Sequence, residues 1–171
     1  YMDQHNYTRG RTEFEQALGL DPDYATAHAN LGIAFYSLGK YDSARAELVA
    51  CLGLDPEHLH ANYTLGLIDH AQGGNYEHAF AAFPKVAQAD ADDPLVQYYL
   101  GRTLSKLNRA DEALAAYGRA IAMDPNNLSA HYARAHELRQ LRRDEDWRDA
   151  LAVFDRLSQA GFEGVSTTYQ G

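Results

Sequence analysis

The sequence predicts an all-α fold, a solenoid of antiparallel helix pairs, on three observations. Leu31-Gly32, Leu65-Gly66 and Leu100-Gly101 recur at intervals of 34 and 35 residues. Pro22 and Pro56 stand 34 residues apart, and Pro125 closes the unit that Leu100-Gly101 opens. Between these marks the apolar residues fall at three- and four-residue steps, as amphipathic helices require. A period of this length belongs to a helix pair that cannot bury its apolar face alone and must stack on its neighbours. The clearest copy is Gln97 to Pro125, two helical patterns separated by Leu107-Asn108-Arg109.

At these residues the chain resembles the tetratricopeptide repeat family, whose unit is a 34-residue helix pair. The family has Leu-Gly in helix A, Gly at the turn, an aromatic and then a small residue opening helix B, and a closing Pro. The resemblance covers residues 1 to about 160 and implies a right-handed superhelix of about four full units behind a partial first one. Residues 1–24 hold the partial unit, mainly its helix B, on the strength of Tyr7, Gly10, Phe14, Ala17 and Pro22. Such a beginning is expected of a piece of a larger parent protein, and leaves open a targeting segment ahead of it.

The second unit, 25–58, carries Leu31, Gly32 and Phe35 in helix A, a turn at Gly39-Lys40, and Tyr41, Ala44, Leu48 and Cys51 on one stripe of helix B. Gly32 and Ala44 are small because the two helices must approach closely where they cross. Cys51 is expected to be inert core. In the third unit, 59–93, Gly73-Gly74-Asn75 lengthens the turn by one residue. Pro84 falls inside helix B, where it removes a backbone hydrogen bond and predicts a kink or an early stop. Pro94 suits the first turn of the fourth unit, 94–127. The fifth, 128–161, keeps Ala135, Leu138, Ala150, Phe154 and Leu157. Its turn, Arg142 to Trp147, is expected to hold about three extra residues, and Gln159-Ala160-Gly161 to stop its second helix. Residues 162–171 then form a tail too short to cap the array.

Bulk properties exclude several functions. A net charge of -9 and a pI near 5.2 oppose whole-surface attraction to nucleic acid or an anionic membrane. Cys51 is the single cysteine, which excludes an intrachain disulfide or a CxxC pair. No apolar run approaches 18 residues, so no membrane insertion is expected. Nucleophile elbow, Walker loop and helix-opening GxGxxG are all missing, so an enzyme is not expected. Neither HExxH nor Cys/His finger spacing accompanies His58, His60, His70 and His78, and no metal or other cofactor is expected. His28 and His131 stand where the family has a packed aromatic and read as filler. Asp69 replaces an apolar core residue (Phe35 and Leu104 in neighbouring units) and Arg134 replaces a leucine, so each must reach a partner or solvent.

In this family the A helices line the concave side. One stripe of each A helix, about 120° wide at about 100° per residue, gathers Asn30 in the second unit and His60, Tyr63 and His70 in the third. It gathers Tyr98, Tyr99, Arg102, Ser105 and Lys106 in the fourth, then Tyr132, His136, Arg139 and Gln140 in the fifth. No Asp or Glu occupies the stripe of a chain that is acidic overall. Rigid aromatic area beside guanidinium and ammonium groups suits an extended peptide or a carboxylate. Tyr and Arg also fill such surfaces in repeats without a ligand; the missing acids favour a groove.

The resemblance includes domains that clamp a chaperone's terminal carboxylate with Lys and Asn, but the corresponding positions hold Ala29, Ile33, Thr64, Leu95 and Tyr99, or one unit on, Tyr63, Leu67, Tyr99, Ser129 and Ala133. That role is not expected. The reading is therefore a scaffold that binds a protein or peptide segment, acidic or with a free carboxylate, through Asn30, His60, Tyr63, His70, Tyr98, Tyr99, Arg102, Lys106, Tyr132, His136 and Arg139. The alternative is a structural module that self-associates through uncapped repeat ends.

Overall fold

The computed structural model describes the backbone of residues 4–73, 75–89 and 93–167 and the side chains of 10–73, 75–88 and 93–160. Among the described residues there are nine helices and no strand. They fall into two compact units, Tyr1–Ala89 and Asp90–Gly171.

The first unit holds α1 (Gln4–Leu20), α2 (Ala25–Ser37), α3 (Tyr41–Leu54), α4 (Leu59–Ala71) and α5 (Tyr76–Ala89). Helix α1 packs on α2, α2 pairs with α3, α3 packs on α4, and α4 pairs with α5. The Tyr7 side chain lies outside the described residues. Ala29, Ala44, Leu48, Cys51, Ala61, Leu65 and Ile68 form one core across α2, α3 and α4. Cys51 is fully buried in it, and burial, reinforced by Asp55, raises its thiol pKa. The second unit holds α6 (Pro94–Lys106), α7 (Ala110–Met123), α8 (Leu128–Gln140) and α9 (Asp144–Thr167). Here α6 pairs with α7, α8 pairs with α9, and the two A helices α6 and α8 also touch.

Close approach in the pairs α2–α3, α4–α5 and α6–α7 depends on glycine, as expected, whereas α8 carries Ala135 at the matching position. A Cβ on Gly32 would stand 2.7 Å from Leu48 Cγ, and one on Gly101 would stand 2.6 Å from Tyr117 Cε1. The turns repeat one geometry. Their second residues, Gly39, Asn108 and Arg142, take φ of 71°, 59° and 55°. The next N–H then donates back five residues, Lys40 to Phe35, Arg109 to Leu104 and Arg143 to Leu138, at 2.9, 2.9 and 3.0 Å. This arrangement satisfies carbonyls at the end of a helix. The stretch between α4 and α5 is one residue longer than these turns, as the 35-residue interval implies.

Three expectations are corrected and a fourth is narrowed. The turn after α8 is only Leu141–Arg143; the extra residues are wound into an additional first turn of α9, where Asp144, Glu145 and Asp146 suit the positive end of a helix. Helix α9 runs past Gly161 to Thr167, because one glycine costs a helix only about 1 kcal/mol and does not end it. Residues 162–167 therefore belong to α9 rather than to a tail. Of the kink or early stop expected at Pro84, the early stop does not occur: helix α5 continues to Ala89, with buried Phe83 and Val86 on either side of the proline.

Buried polar groups find partners. Asp69 is 1% exposed, with Arg45 Nη1 2.6 Å from Oδ1 and His78 Nδ1 2.9 Å from Oδ2. The Arg45 contact is an ion pair outside hydrogen-bond geometry, since Oδ1 has no aligned donor. Arg134 is solvent-exposed and needs no partner. His28 lies between α2 and α3, with Nδ1 2.7 Å from Glu47 Oε2 and Nε2 3.0 Å from the Pro22 carbonyl. Buried His131 donates to the Pro125 carbonyl in the same way, at 3.0 Å.

Candidate functional site

Helices α6 and α8 of the second unit carry seven of the eleven predicted contacts. Asp93 caps α6 by accepting from the Leu95 N–H at 2.8 Å, and Asn127 caps α8 by accepting from Ala130 at 3.0 Å. With both starts fixed, the helical period sets which side chains face outward together. Between them opens a cavity of about 340 Å³, lined by Tyr98, Arg102, Ser105, Lys106, Tyr117, Tyr132, Ala133, His136 and Glu137.

The cavity walls are aromatic and its rim is cationic. Tyr98 meets Tyr99 at 5.1 Å and Tyr117 at 6.3 Å between ring centroids. The Arg102 guanidinium lies over the Tyr98 ring at 5.7 Å, with Nη1 3.5 Å from the phenol oxygen. Stacking of this kind holds the guanidinium in place without neutralising it. Tyr132 is 56% exposed, steadied by Phe154 at 5.5 Å and His136 at 6.4 Å. Lys106 projects into solvent at the rim. Tyr99 does not line the cavity; its ring supports Tyr98.

Sequence reasoning missed the floor. Glu137 is buried beside the cavity, with the Ser105 hydroxyl donating to Oε2 at 2.6 Å. It lies off the stripe, so the all-cationic picture holds for the stripe but not for the cavity. Tyr117, read as packing, is buried and also faces this network through Ser105. Burial first, then the charge of Glu137, raises its hydroxyl pKa well above the ordinary tyrosine value. The signal was available for Glu137: the matching positions hold Ala34, Ile68 and Thr103.

A second cavity of about 380 Å³ adjoins the first at His136 and is lined also by Arg139, Gln140 and Arg142. Arg139 lies over the Trp147 ring at 5.6 Å.

In the first unit the picture differs. Asn30 and Tyr63 are half-buried, Tyr63 with its ring edge-on to Phe83 at 6.0 Å. His60 is exposed, 6.3 Å from His58. His70 is corrected: it is buried and packs edge-on to Tyr76 at 5.8 Å, which leaves it no surface for a ligand. Among the described residues no group of three His, Cys, Asp or Glu could hold a metal ion, and no helix is long and apolar enough to cross a membrane.

Comparison with known proteins agrees with this architecture. A solved structure titled MamA AMB-1 is 27% identical, with a TM-score of 0.81 over 91% of this chain and 92% of that one. MamA from Desulfovibrio magneticus RS-1 is 19% identical, with a TM-score of 0.77 over 96% of this chain and 88% of that one. YrrB, a TPR protein with an unusual peptide-binding site, is 18% identical, with a TM-score of 0.83 over 96% of this chain and 84% of that one. The last two likenesses show the fold alone. No curated protein matches the chain in sequence. A tetratricopeptide-repeat profile matches residues 1–50 and 31–94, and a TPR-repeat profile matches 101–137. The chain belongs to the tetratricopeptide repeat family.

Proposed function

We propose that this chain is a protein-interaction scaffold whose α6–α8 face takes a segment of a partner protein. The observation that carries the reading is the pairing of aromatic walls with unneutralised cations on an acidic chain. Arg102 and Lys106 form no ion pair among the described residues, and both line the aromatic cavity. The fold is compatible with such a ligand, since YrrB has a peptide-binding site. Tyr98 and Tyr132 supply rigid contact area at low entropic cost. Arg102 and Lys106 attract acidic groups to the rim, while Glu137 repels them from the floor. The deepest position therefore suits a hydrogen-bond donor from the segment, flanked by acidic residues. The work of the face is recognition, not catalysis.

Fluorescence anisotropy with a labelled peptide, acidic at its flanks and aromatic at its centre, tests this. R102A/K106A should weaken binding about tenfold, about 1.4 kcal/mol, and flatten its salt dependence. Unchanged affinity would remove the charge-reading role. Light scattering over a concentration series separates this from self-association through the repeat ends, since a pure segment binder stays monomeric.

A further inference from the structure

The turn after α8 holds a long charged side chain on a backbone that suits glycine. Arg142 has φ of 55°, where the equivalent positions carry Gly39, Gly73 and Asn108. In that region a Cβ crowds the following carbonyl, and only Gly, or less often Asn and Asp, goes there readily. Strain of this kind persists where a side chain is needed at that place.

The surroundings indicate for what. Arg142 lines the second cavity with His136, Arg139 and Gln140, and no carboxylate lines it. Arg139 is held over Trp147. Neither Arg139 nor Arg142 has an ion-pair partner among the described residues, although α9 opens with three acids. Asp146 is already taken by Arg143, at 2.7 Å. Cations near the end of a helix also complement its dipole. That effect does not require a cation at the strained position, because Arg139 and Arg143 supply it from backbone outside the left-handed region. A glycine would make the same turn without strain.

We propose that Arg139 and Arg142 form an anion site that takes a carboxylate of the bound segment, an acidic side chain or its terminus. Two guanidinium forks match a planar carboxylate, which accepts paired N–H donors. Gln140 adds a neutral donor, and His136 links this site to the aromatic cavity, so one segment fills both. The assignment to a segment rests on the α6–α8 face being the binding surface; the anion site itself does not.

The test titrates the isotope-labelled full chain with glutarate and, separately, with inorganic phosphate at constant ionic strength, following the arginine Nε–H resonances. Glutarate should give saturable shifts at Arg139 and Arg142, at least fivefold weaker in R142G. The same variant should melt about 2–4 °C higher, since relief of the strain stabilises a chain of this size. Shifts that do not saturate, or an R142G affinity equal to wild type, overturn the site. So does an R142G midpoint below wild type, which removes the strain argument, or phosphate binding more than tenfold tighter, which removes the carboxylate. R102A/K106A should bind glutarate normally while losing the peptide. If that variant and R142G both bind the peptide as wild type does while glutarate still binds, the α6–α8 reading fails and the anion site stands.

Discussion

Gly101→Ala and Gly118→Ala, made in one helix pair, should shift stability in opposite directions. A Cβ at Gly101 would lie 2.6 and 2.7 Å from Tyr117 Cε1 and Cδ1, and 3.2 Å from the Ala113 carbonyl. Contact between carbon atoms is comfortable at about 3.5–4.0 Å, so the ring or the helix must retreat by about 1 Å. The ring cannot swing away, because Tyr117 is 2% exposed and backed by Tyr98. The neighbouring contact is backbone, so α6 and α7 must separate. Overpacking of this kind costs about 1–3 kcal/mol, and the helical preference for Ala returns about 1 kcal/mol. An approach about 1 Å too close, against a ring that cannot move, puts the cost in the upper part of that range, about 2–3 kcal/mol, so the net loss for Gly101→Ala is about 1–2 kcal/mol. Gly118, on α7, has nothing within 4 Å of an added Cβ, so Gly118→Ala should gain about 0.5–1 kcal/mol. Equilibrium urea unfolding followed by far-UV circular dichroism reads both. A Gly101→Ala chain as stable as wild type would refute the tight crossing.

Two further predictions concern groups on the first unit. Arg45→Ala strips the buried Asp69 carboxylate of its guanidinium; at an effective dielectric near 20 the pair is worth about 4 kcal/mol. Solvent at Arg45 (side chain 36% exposed) and the remaining His78 reduce the expected loss to about 2 kcal/mol, and Arg45→Ala/Asp69→Leu should recover most of it by urea unfolding. Burial opposes charge on His28, but the Glu47 carboxylate and the Pro22 carbonyl outweigh it and raise its pKa above the usual 6.5. Its contribution is therefore complete below about pH 6.5 and lost as pH rises through the folded-state value. Thermal melts from pH 5.5 to 8.5 should fall over that window, and the fall should be shallower in His28→Gln.

The repeat frame was legible because it is set by short-range rules. Periodicity placed the helices, Gly32 and Gly101 marked the crossings, and the 35-residue interval announced the longer turn after α4. The fifth unit resisted for a physical reason: Asp144, Glu145 and Asp146 suit a solvated turn and the first turn of a helix equally well. Only the position of buried Ala150 against Ala135 and Leu138 settles where the extra residues go. His70 illustrates the same limit. The helical period puts it on the stripe, but Tyr76, from the next helix, decides that it is covered. Glu137 escaped the sequence reading because it lies off the stripe, while the cavity between α6 and α8 also reaches the flank of each helix.

Departures from the repeat pattern separate into two kinds, and the division bears on function. Asp69 breaks the pattern and is answered within the chain by Arg45 and His78. His28 and His131 are answered by carbonyls at the preceding proline. These are substitutions that packing has absorbed. Glu137, with a neutral hydroxyl for company, and Arg142, on strained backbone without a carboxylate, are not absorbed in this way. Arg102 and Lys106 likewise lack an ionic answer. All four stand around the two cavities that share His136. A stable sequence satisfies its local rules nearly everywhere, and violations left unanswered tend to mark functional positions. On the proposed reading, the segment bound at this face of the second unit would carry the complement of these charges.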